Sequence, residues 1–487
     1  MRLIFRLGML VATVILTESC NSDAIIIEPV SRIRLVPEAP NLLIGSMIKL
    51  QPFMVSGAAL NDTAVRWSSS ASDIVSVDQR GRISGKASGS ATIRVDAGGI
   101  SAETIVSVVG ARSSLTAGVT TTCGLTTADE LFCWGENDYG QAGTGDRQTP
   151  VVAPQKVTGN LTFTSVSVGR THACGTTATG VHCWGDNSRG QIGDGTSTAR
   201  LVPTPVSGSS SFVNVSVAST VPRTGNFECL EVYVCTARSC AVSADGAIHC
   251  WGENVRIPAR LPVTTQFRAI DLGFAYVCGL DRADIPYCWG TGRYNQTPGP
   301  LINGVEPRQV PGNLRFQSIS AGHGHSCGLD FDGDIYCWGS NGAGELGSSS
   351  GAEYCLPALG VRTPCRAQPR KVETDFKFIA LSVGTGSSII LGSPDAHTCA
   401  VASTLQIICW GSNSSGELGN GSTQTTQIPA PVSSALRFRG VAAGSSLTCG
   451  VTVAGDAYCW GFGGRLGNGT TLSSPTPVQV AGGLKFK

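Results

Sequence analysis

Charge is scarce in this chain. Only 14% of its 487 residues are Asp, Glu, Lys or Arg, and 35 basic against 34 acidic side chains leave a net charge of +1. A chain with no basic excess cannot track a phosphate backbone, so nucleic acid is not an expected partner. Histidine is limited to six residues that do not recur at ligand spacing, and no Cys-x-x-Cys pair occurs. That leaves no zinc site to build. Walker motifs, zinc-protease helices and calcium-loop spacing are missing too, so no cofactor or metal is expected. Stretches of helical periodicity are also absent. What is present instead is glycine, 62 residues of it, with abundant Ser and Thr. That composition suits many short strands joined by tight turns.

The start of the chain differs from the rest. Arg2 and Arg6 precede an apolar run from Leu7 to Leu16, too short for a bilayer and right for a signal-peptide core. Residues 1–20 are therefore expected to be a signal peptide and 21–25 a short tether. Cys20 stands where a lipoprotein signal carries its lipidated cysteine. Thr17, Glu18 and Ser19 depart from the usual Leu at the third position before it and Gly or Ala just before it. A lipid anchor on Cys20 is the expectation, with simple secretion as the alternative. No other segment is long and apolar enough to cross a membrane.

Residues 26–109 contain no cysteine and no repeat. Short alternating runs bounded by polar turns fill the segment: Val65-Arg66-Trp67-Ser68-Ser69-Ser70, then Ile74-Val75-Ser76-Val77-Asp78, then the turn Gln79-Arg80-Gly81-Arg82, then Ala91-Thr92-Ile93-Arg94-Val95. Strands of this length and spacing argue a β-sandwich. The succession resembles the bacterial immunoglobulin-like group 2 family. That resemblance implies an Ig-like sandwich used as a spacer or adhesive module.

Residues 111–487 carry a repeat. Cys-Trp-Gly is written seven times, at Cys133, Cys183, Cys250, Cys288, Cys337, Cys409 and Cys459, at intervals of 50, 67, 38, 49, 72 and 50 residues. A period near 50 with β composition signals a propeller blade. Four strands per repeat are expected, in the order Pro-x-x-Val (Pro154 to Val157), Phe-x-x-Val-x-x-Gly (Phe163 to Gly169), a strand holding an upstream cysteine (His172 to Cys174), and Cys-Trp-Gly. A loop follows: Asn137 to Gly143, Asn187 to Gly193, Asn341 to Gly347, Asn413 to Gly419, and a degenerate Gly464-Arg465-Leu466-Gly467. These motifs resemble the regulator-of-chromosome-condensation family, which implies a seven-bladed β-propeller. The expected fold class is all-β: a seven-bladed propeller behind an Ig-like sandwich. The chain stops on Leu484-Lys485-Phe486-Lys487, and Ser114-Leu115-Thr116-Ala117-Gly118 reads as its continuation. The two ends are expected to complete one blade, removing free sheet edges.

The chain has 19 cysteines. Seven local pairs follow the repeat: Cys123–Cys133, Cys174–Cys183, Cys240–Cys250, Cys278–Cys288, Cys327–Cys337, Cys399–Cys409 and Cys449–Cys459. Cys229–Cys235 and Cys355–Cys365 add two pairs, and Cys20 is left over. On neighbouring strands of a hairpin the paired cysteines fall opposite each other, close to disulfide range. The alternation of a strand sends the following tryptophan to the other face, where it can pack on the next blade. Each closed loop is expected to contribute roughly 2.5–3 kcal/mol. Disulfides in turn fit an exported protein.

Catalytic constellations are not apparent. His172, His325 and His397 stand two residues before a repeat cysteine, but the slot also takes Leu447, so a structural role is expected. Gly347-Ser348-Ser349-Ser350-Gly351 matches a nucleophile-elbow string but lacks strand-to-helix context. Function is expected instead in three insertions, Ser219 to Ser239, Ser348 to Gln368 and Thr385 to Ala396, all projecting from one rim. The candidate binding residues there are Leu230, Val232, Tyr233, Tyr354, Leu356 and Arg362. The expectation is an exported, lipid-anchored, monomeric binding protein of the cell envelope or surface, not an enzyme, recognising a protein or glycan. A guanine-nucleotide exchange regulator by family analogy, an envelope hydrolase, and a purely structural surface component are the alternatives.

Overall fold

The computed structural model describes residues 33–54, 60, 65–110, 114–209, 212–218, 238–290, 297, 304–348, 353–355, 363–385 and 396–487, and every regular element among them is a strand. The N-terminal unit is a sandwich. One sheet orders Asn41–Leu42, Ile100–Val108, Gly89–Ala97 and Arg66–Ser69, and another orders Met47–Lys49, Arg82–Gly85 and Val75–Val77. Period-two patterning builds it: Ala91, Ile93 and Val95 are buried while Arg94 between them is exposed. Trp67, Val75, Ile83 and Val106 fill the space between the sheets.

From residue 114 onward seven antiparallel sheets follow one another in chain order. Blade two shows the plan, with an inner strand Phe163–Val168, a second His172–Thr177, a third Gly180–Gly185 and an outer strand Arg200–Pro205. Here the expected strand order needs correction. The Pro-x-x-Val segment does not open the next blade; it is the outer strand of the blade whose Cys-Trp-Gly precedes it, as Cys183 pairing with Thr204 shows. Proline explains the placement. It cannot donate to a ladder and suits only an edge. The outer strands carry Pro154, Pro203, Pro258, Pro307, Pro369, Pro429 and Pro477, which also discourages strand addition from outside.

Ring closure follows the expected plan. Thr116–Ala117 pairs with Thr122–Cys123, and Phe486 bridges Thr126 on the same strand. Lys487 N–H donates to Leu125 O at 2.8 Å and Ser114 N–H to Lys487 O at 3.2 Å, so the two segments together form one inner strand.

The seven repeat disulfides all form between directly opposed residues, with Cα atoms 4.1 to 4.2 Å apart. Each faces the following blade and meets that blade's tryptophan: Cys327 and Cys337 pack with Trp410, and Cys399 and Cys409 with Trp460. Tryptophan therefore packs on the preceding blade rather than the next one, because the cysteine beside it on the strand already occupies the forward face.

Strand direction alternates within a blade. First-to-second and third-to-fourth connections leave one face of the ring, called upper here. Second-to-third turns and blade-to-blade links leave the lower face. Segments 219–237 and 386–395 join first and second strands of blades three and six. The segment after Ser348 joins the third and outer strands of blade five, not the loop opening blade six. The strands that flank all three end on the upper face, while residues 219–237, 349–352, 356–362 and 386–395 themselves lie outside the described residues.

Candidate functional site

The upper face is organised by the Asn-x-x-Gly loops. Asn413 Oδ1 accepts the N–H of Leu418 at 2.9 Å, and its Nδ2 donates to the carbonyls of Ser422 and Gln424 at 3.0 Å each. This pinning turns the Glu417 carbonyl toward blade seven. There it accepts Trp460 Nε1 and the Thr448 hydroxyl, both at 2.8 Å. Having given its proton to Glu417, Thr448 accepts from His397 Nε2 at 2.7 Å. His397 is thus the neutral Nε2–H tautomer, and its buried Nδ1 has no partner. Burial lowers its pKa to about 4. The arrangement recurs with His325, Thr398 and the Glu345 carbonyl (2.8 and 3.0 Å), and with His172, Ser239 and the Gln191 carbonyl (2.8 and 3.0 Å). Burial holds those histidines at about 3 and about 4. All three fasten seams between blades.

The seam that closes the ring is built differently. Leu447 fills the histidine slot, and the buried Thr122 Oγ1 and Trp134 Nε1 have no partner. The loop from Gly461 to Gly467 is two residues shorter than its counterpart from Gly411 to Gly419. Arg465 instead pairs with Glu136 Oε1 at 2.5 Å.

A cavity of about 330 Å³ lies on the ring axis, lined by inner strands of all seven blades. One register position of the inner strands repeats around it: Thr116, Ser167, Ser216, Asp271, Ser320, Ser382 and Ala442. Its oxygens accept backbone N–H groups of the following blade. Ser167 takes Val217 (3.1 Å), Ser216 takes Leu272 (3.0 Å), Asp271 takes Ala321 (2.9 Å), Ser320 takes Val383 (3.2 Å) and Ser382 takes Ala443 (2.9 Å). Asp271 is the carboxylate in this ring. Burial raises its pKa to about 6, against the bonds it accepts from Ala321 N–H and the Ser216 hydroxyl. The sequence reading missed Asp271, although lining up the Phe-x-x-Val-x-x-Gly motifs exposes it as the acid in a hydroxyl column.

Of the expected rim residues, Tyr354 is described. It sits 61% exposed in the short strand Glu353–Cys355, which pairs with Thr363–Lys371 as a fifth strand of blade five. The Cys355–Cys365 disulfide clips this hairpin diagonally, with Cα atoms 5.8 Å apart. Leu230, Val232, Tyr233, Leu356, Arg362, the Cys229–Cys235 pair, Ser349 and Cys20 lie outside the described residues. Sequence reasoning also missed Phe462 and Leu472, 47% and 74% exposed, on the upper face at blade seven. The position after Cys-Trp-Gly holds Glu136, Asp186, Glu253, Thr291, Ser340 and Ser412 in the other blades, so Phe462 breaks a polar column. The Arg465 guanidinium stands 4.8 Å from the centre of its ring.

Family models match the chain in both halves. Two models described as the Regulator of chromosome condensation (RCC1) repeat match residues 113–141, 163–191 and 316–345, and 128–175, 180–220 and 406–451. A model of the Bacterial Ig-like domain (group 2) matches residues 29–122. The Ultraviolet-B receptor UVR8 of Arabidopsis thaliana is 38% identical over 71 residues, which are 14% of this chain and 16% of that receptor, so the match spans about a sixth of the relative's length. Among solved structures, Prp20p of Saccharomyces cerevisiae superposes with a TM-score of 0.59 at 18% identity, covering 76% of this chain and 88% of that one. Human WBSCR16 gives 0.58 at 16% identity, covering 73% and 95%. At such identities the likeness is one of fold.

Proposed function

From a chain that carries RCC1 repeats behind a bacterial Ig-like domain, we propose an exported binding protein that engages a protein partner through the upper face of its propeller and acts without catalysis. The observation that carries this reading is the concentration of non-repeat features on that face. The three long connections leave it, and Tyr354, Phe462 and Leu472 stand exposed there. Aromatic and apolar side chains on a preorganised surface are what protein recognition uses. Prp20p has been characterised for its binding to Gsp1p and histones, which supports a protein over a glycan as the partner.

Eight disulfides support export, since they persist in oxidising compartments. They weigh against nucleotide exchange in a reducing cytosol. A lipid on Cys20 would hold the protein at the envelope. Fractionation with a thiol-reactive probe tests export: the full chain should appear outside the cytosol with its repeat cysteines unreactive, and a cytosolic, reduced protein would overturn the proposal. For binding, crosslinked partners recovered with the full chain should be lost from a Phe462→Ser, Tyr354→Ala variant and kept by a lower-face Val213→Ser variant. Equal recovery from all three would overturn the assignment to the upper face.

A further inference from the structure

The lower face is not uniform. Blades five and six stand out at two repeat positions, and both lie under the Ig-like unit. The first follows the inner-strand phenylalanine. Thr164, Val213 and Arg268 are exposed there, but Gln317 in blade five is buried and Ile379 in blade six is fully so. The second is the left-handed residue of the second-to-third turn. Asp129 and Asp284 occupy it in blades one and four, whereas blade six places Leu405 there, at φ 66° and only 6% exposed. Blade five has Gly333 at that turn position, at φ 81°, as blades three and seven have Gly246 and Gly455. Left-handed backbone alone does not demand glycine, since Asp129, Asp284 and Leu405 adopt it. The neighbour does: a Cβ on Gly333 would stand 2.8 Å from Ile48 Cγ2 of the Ig-like unit.

The polar contacts match. Met47–Lys49 is the edge strand of its sheet, with alternate N–H groups pointing away from it toward the propeller. Met47 N–H donates to Gln317 Oε1 at 3.2 Å, and Gln317 Nε2 returns a bond to Met47 O at 2.9 Å, the exchange a neighbouring strand would make. Lys49 N–H donates to Asp332 O at 3.2 Å, and Asn41 N–H to Ser403 O at 2.8 Å. Arg82 Nε meets Asp332 Oδ1 at 2.6 Å. One continuous apolar cluster joins Ile48, Leu50 and Ile83 to Ile379, Val401, Leu405 and Phe438. If the Ig-like unit swung away, an open sheet edge and the apolar residues Ile379 and Leu405 would be left to water, both of which soluble proteins avoid.

We infer that the Ig-like domain is a fixed mount on the lower face at blades five and six, not a swinging spacer, so the propeller is held with its lower face engaged and its upper face turned outward. This stands whether or not the upper face binds a protein. Native-state hydrogen exchange on the full chain tests it. The amides of Asn41, Met47 and Lys49 donate across this joint, so a fixed mount slows their exchange at least ~100-fold relative to open peptide. Gly333→Leu copies the residue that blade six tolerates in the same turn. It should speed those three amides at least ~10-fold by displacing Ile48, with the amides of Ile93 and Cys327 unchanged. Should that variant fail to fold, as lost protection at Cys327 would show, a charge reversal decides: Arg82→Glu should speed the three amides and Asp332→Arg added to it should restore them. Exchange near the open-peptide rate in the unaltered chain would overturn the inference. So would a folded Gly333→Leu variant, or a folded Arg82→Glu variant, that is as slow as the parent.

Discussion

The two faces of the propeller follow different rules. On the lower face, connections are short and repeat in conformation, and where blades depart from the pattern the departures answer the Ig-like unit: Gln317 bonds Met47, and Ile379 and Leu405 join the apolar cluster of Ile48. On the upper face the Asn-x-x-Gly loops tie the seams together. Outside them the departures stay open to solvent: Tyr354, Phe462 and Leu472 project outward, with the Arg465 guanidinium over the Phe462 ring. A repeat architecture buries the same seams in every blade, so apolar residues that break the column and stay exposed are the places to look for a partner outside it.

The sharpest way to separate scaffold from presenting surface is through the disulfides. Replacing Cys399 and Cys409 with alanine removes a clip buried in a seam against Trp460. It should cost about 2.5–3 kcal/mol by the chain-entropy relation, seen as a lower melting temperature. Replacing Cys355 and Cys365 frees only the upper-face hairpin, so the melting temperature should hold while protease cuts near Tyr354 faster. Equal loss of stability from both would erase the distinction.

Next in size is an effect of pH. Burial raises the Glu345 carboxyl to about 7. Its folded pKa lies above the unfolded value, so the associated stability is present below about pH 4.5 and is lost as pH rises toward 7. The buried histidines do the reverse, losing stability as pH falls from about 6.5 toward 4. The two trends oppose each other and flatten the profile. Glu345→Gln, which copies Gln141 and Gln191 in the same slot, should add ~2–3 kcal/mol at pH 8 and uncover a decline below pH 6.5. Urea unfolding across pH reads both; an unchanged profile would contradict the buried, proton-holding carboxyl.

Smaller again is a contrast between seams. Trp460→Phe removes the bond to the Glu417 carbonyl and should cost about 1 kcal/mol beyond the change in packing. Trp134→Phe removes an indole N–H that has no partner, so its polar cost should be near zero. Thermal melts of the pair give the difference directly. Least perturbing is Tyr354→Ala, within about 0.5 kcal/mol of the parent because the ring is exposed, yet expected to weaken partner capture.

Much of the fold was legible because seven copies of one pattern reinforce each other. Cys-Trp-Gly with its upstream cysteine yields hairpin, register and disulfide together. The errors were errors of phase. A closed ring has no intrinsic first strand, so the repeat alone does not say which blade the Pro-x-x-Val segment joins, although Pro203 and its counterparts mark an edge. The direction of the tryptophan was likewise not fixed by alternation, which separates Trp184 from Cys183 but does not say which neighbour each one meets. The site was less legible. Asp271 and Phe462 are ordinary residues until placed in their columns, where each is the exception; Ile379 shares its column with the apolar Val213 and differs in burial alone. Why Ile379 should be buried cannot be read from the repeat at all, since its partners belong to the other domain.

The most direct test of the account places a photo-crosslinking phenylalanine at Tyr354 and, separately, at Val213, which is 59% exposed on the lower face. Irradiation of intact cells exporting the full chain should join a protein to the chain at Tyr354 and none at Val213. An adduct at Val213 alone, or at neither position, would contradict a protein partner on the upper face.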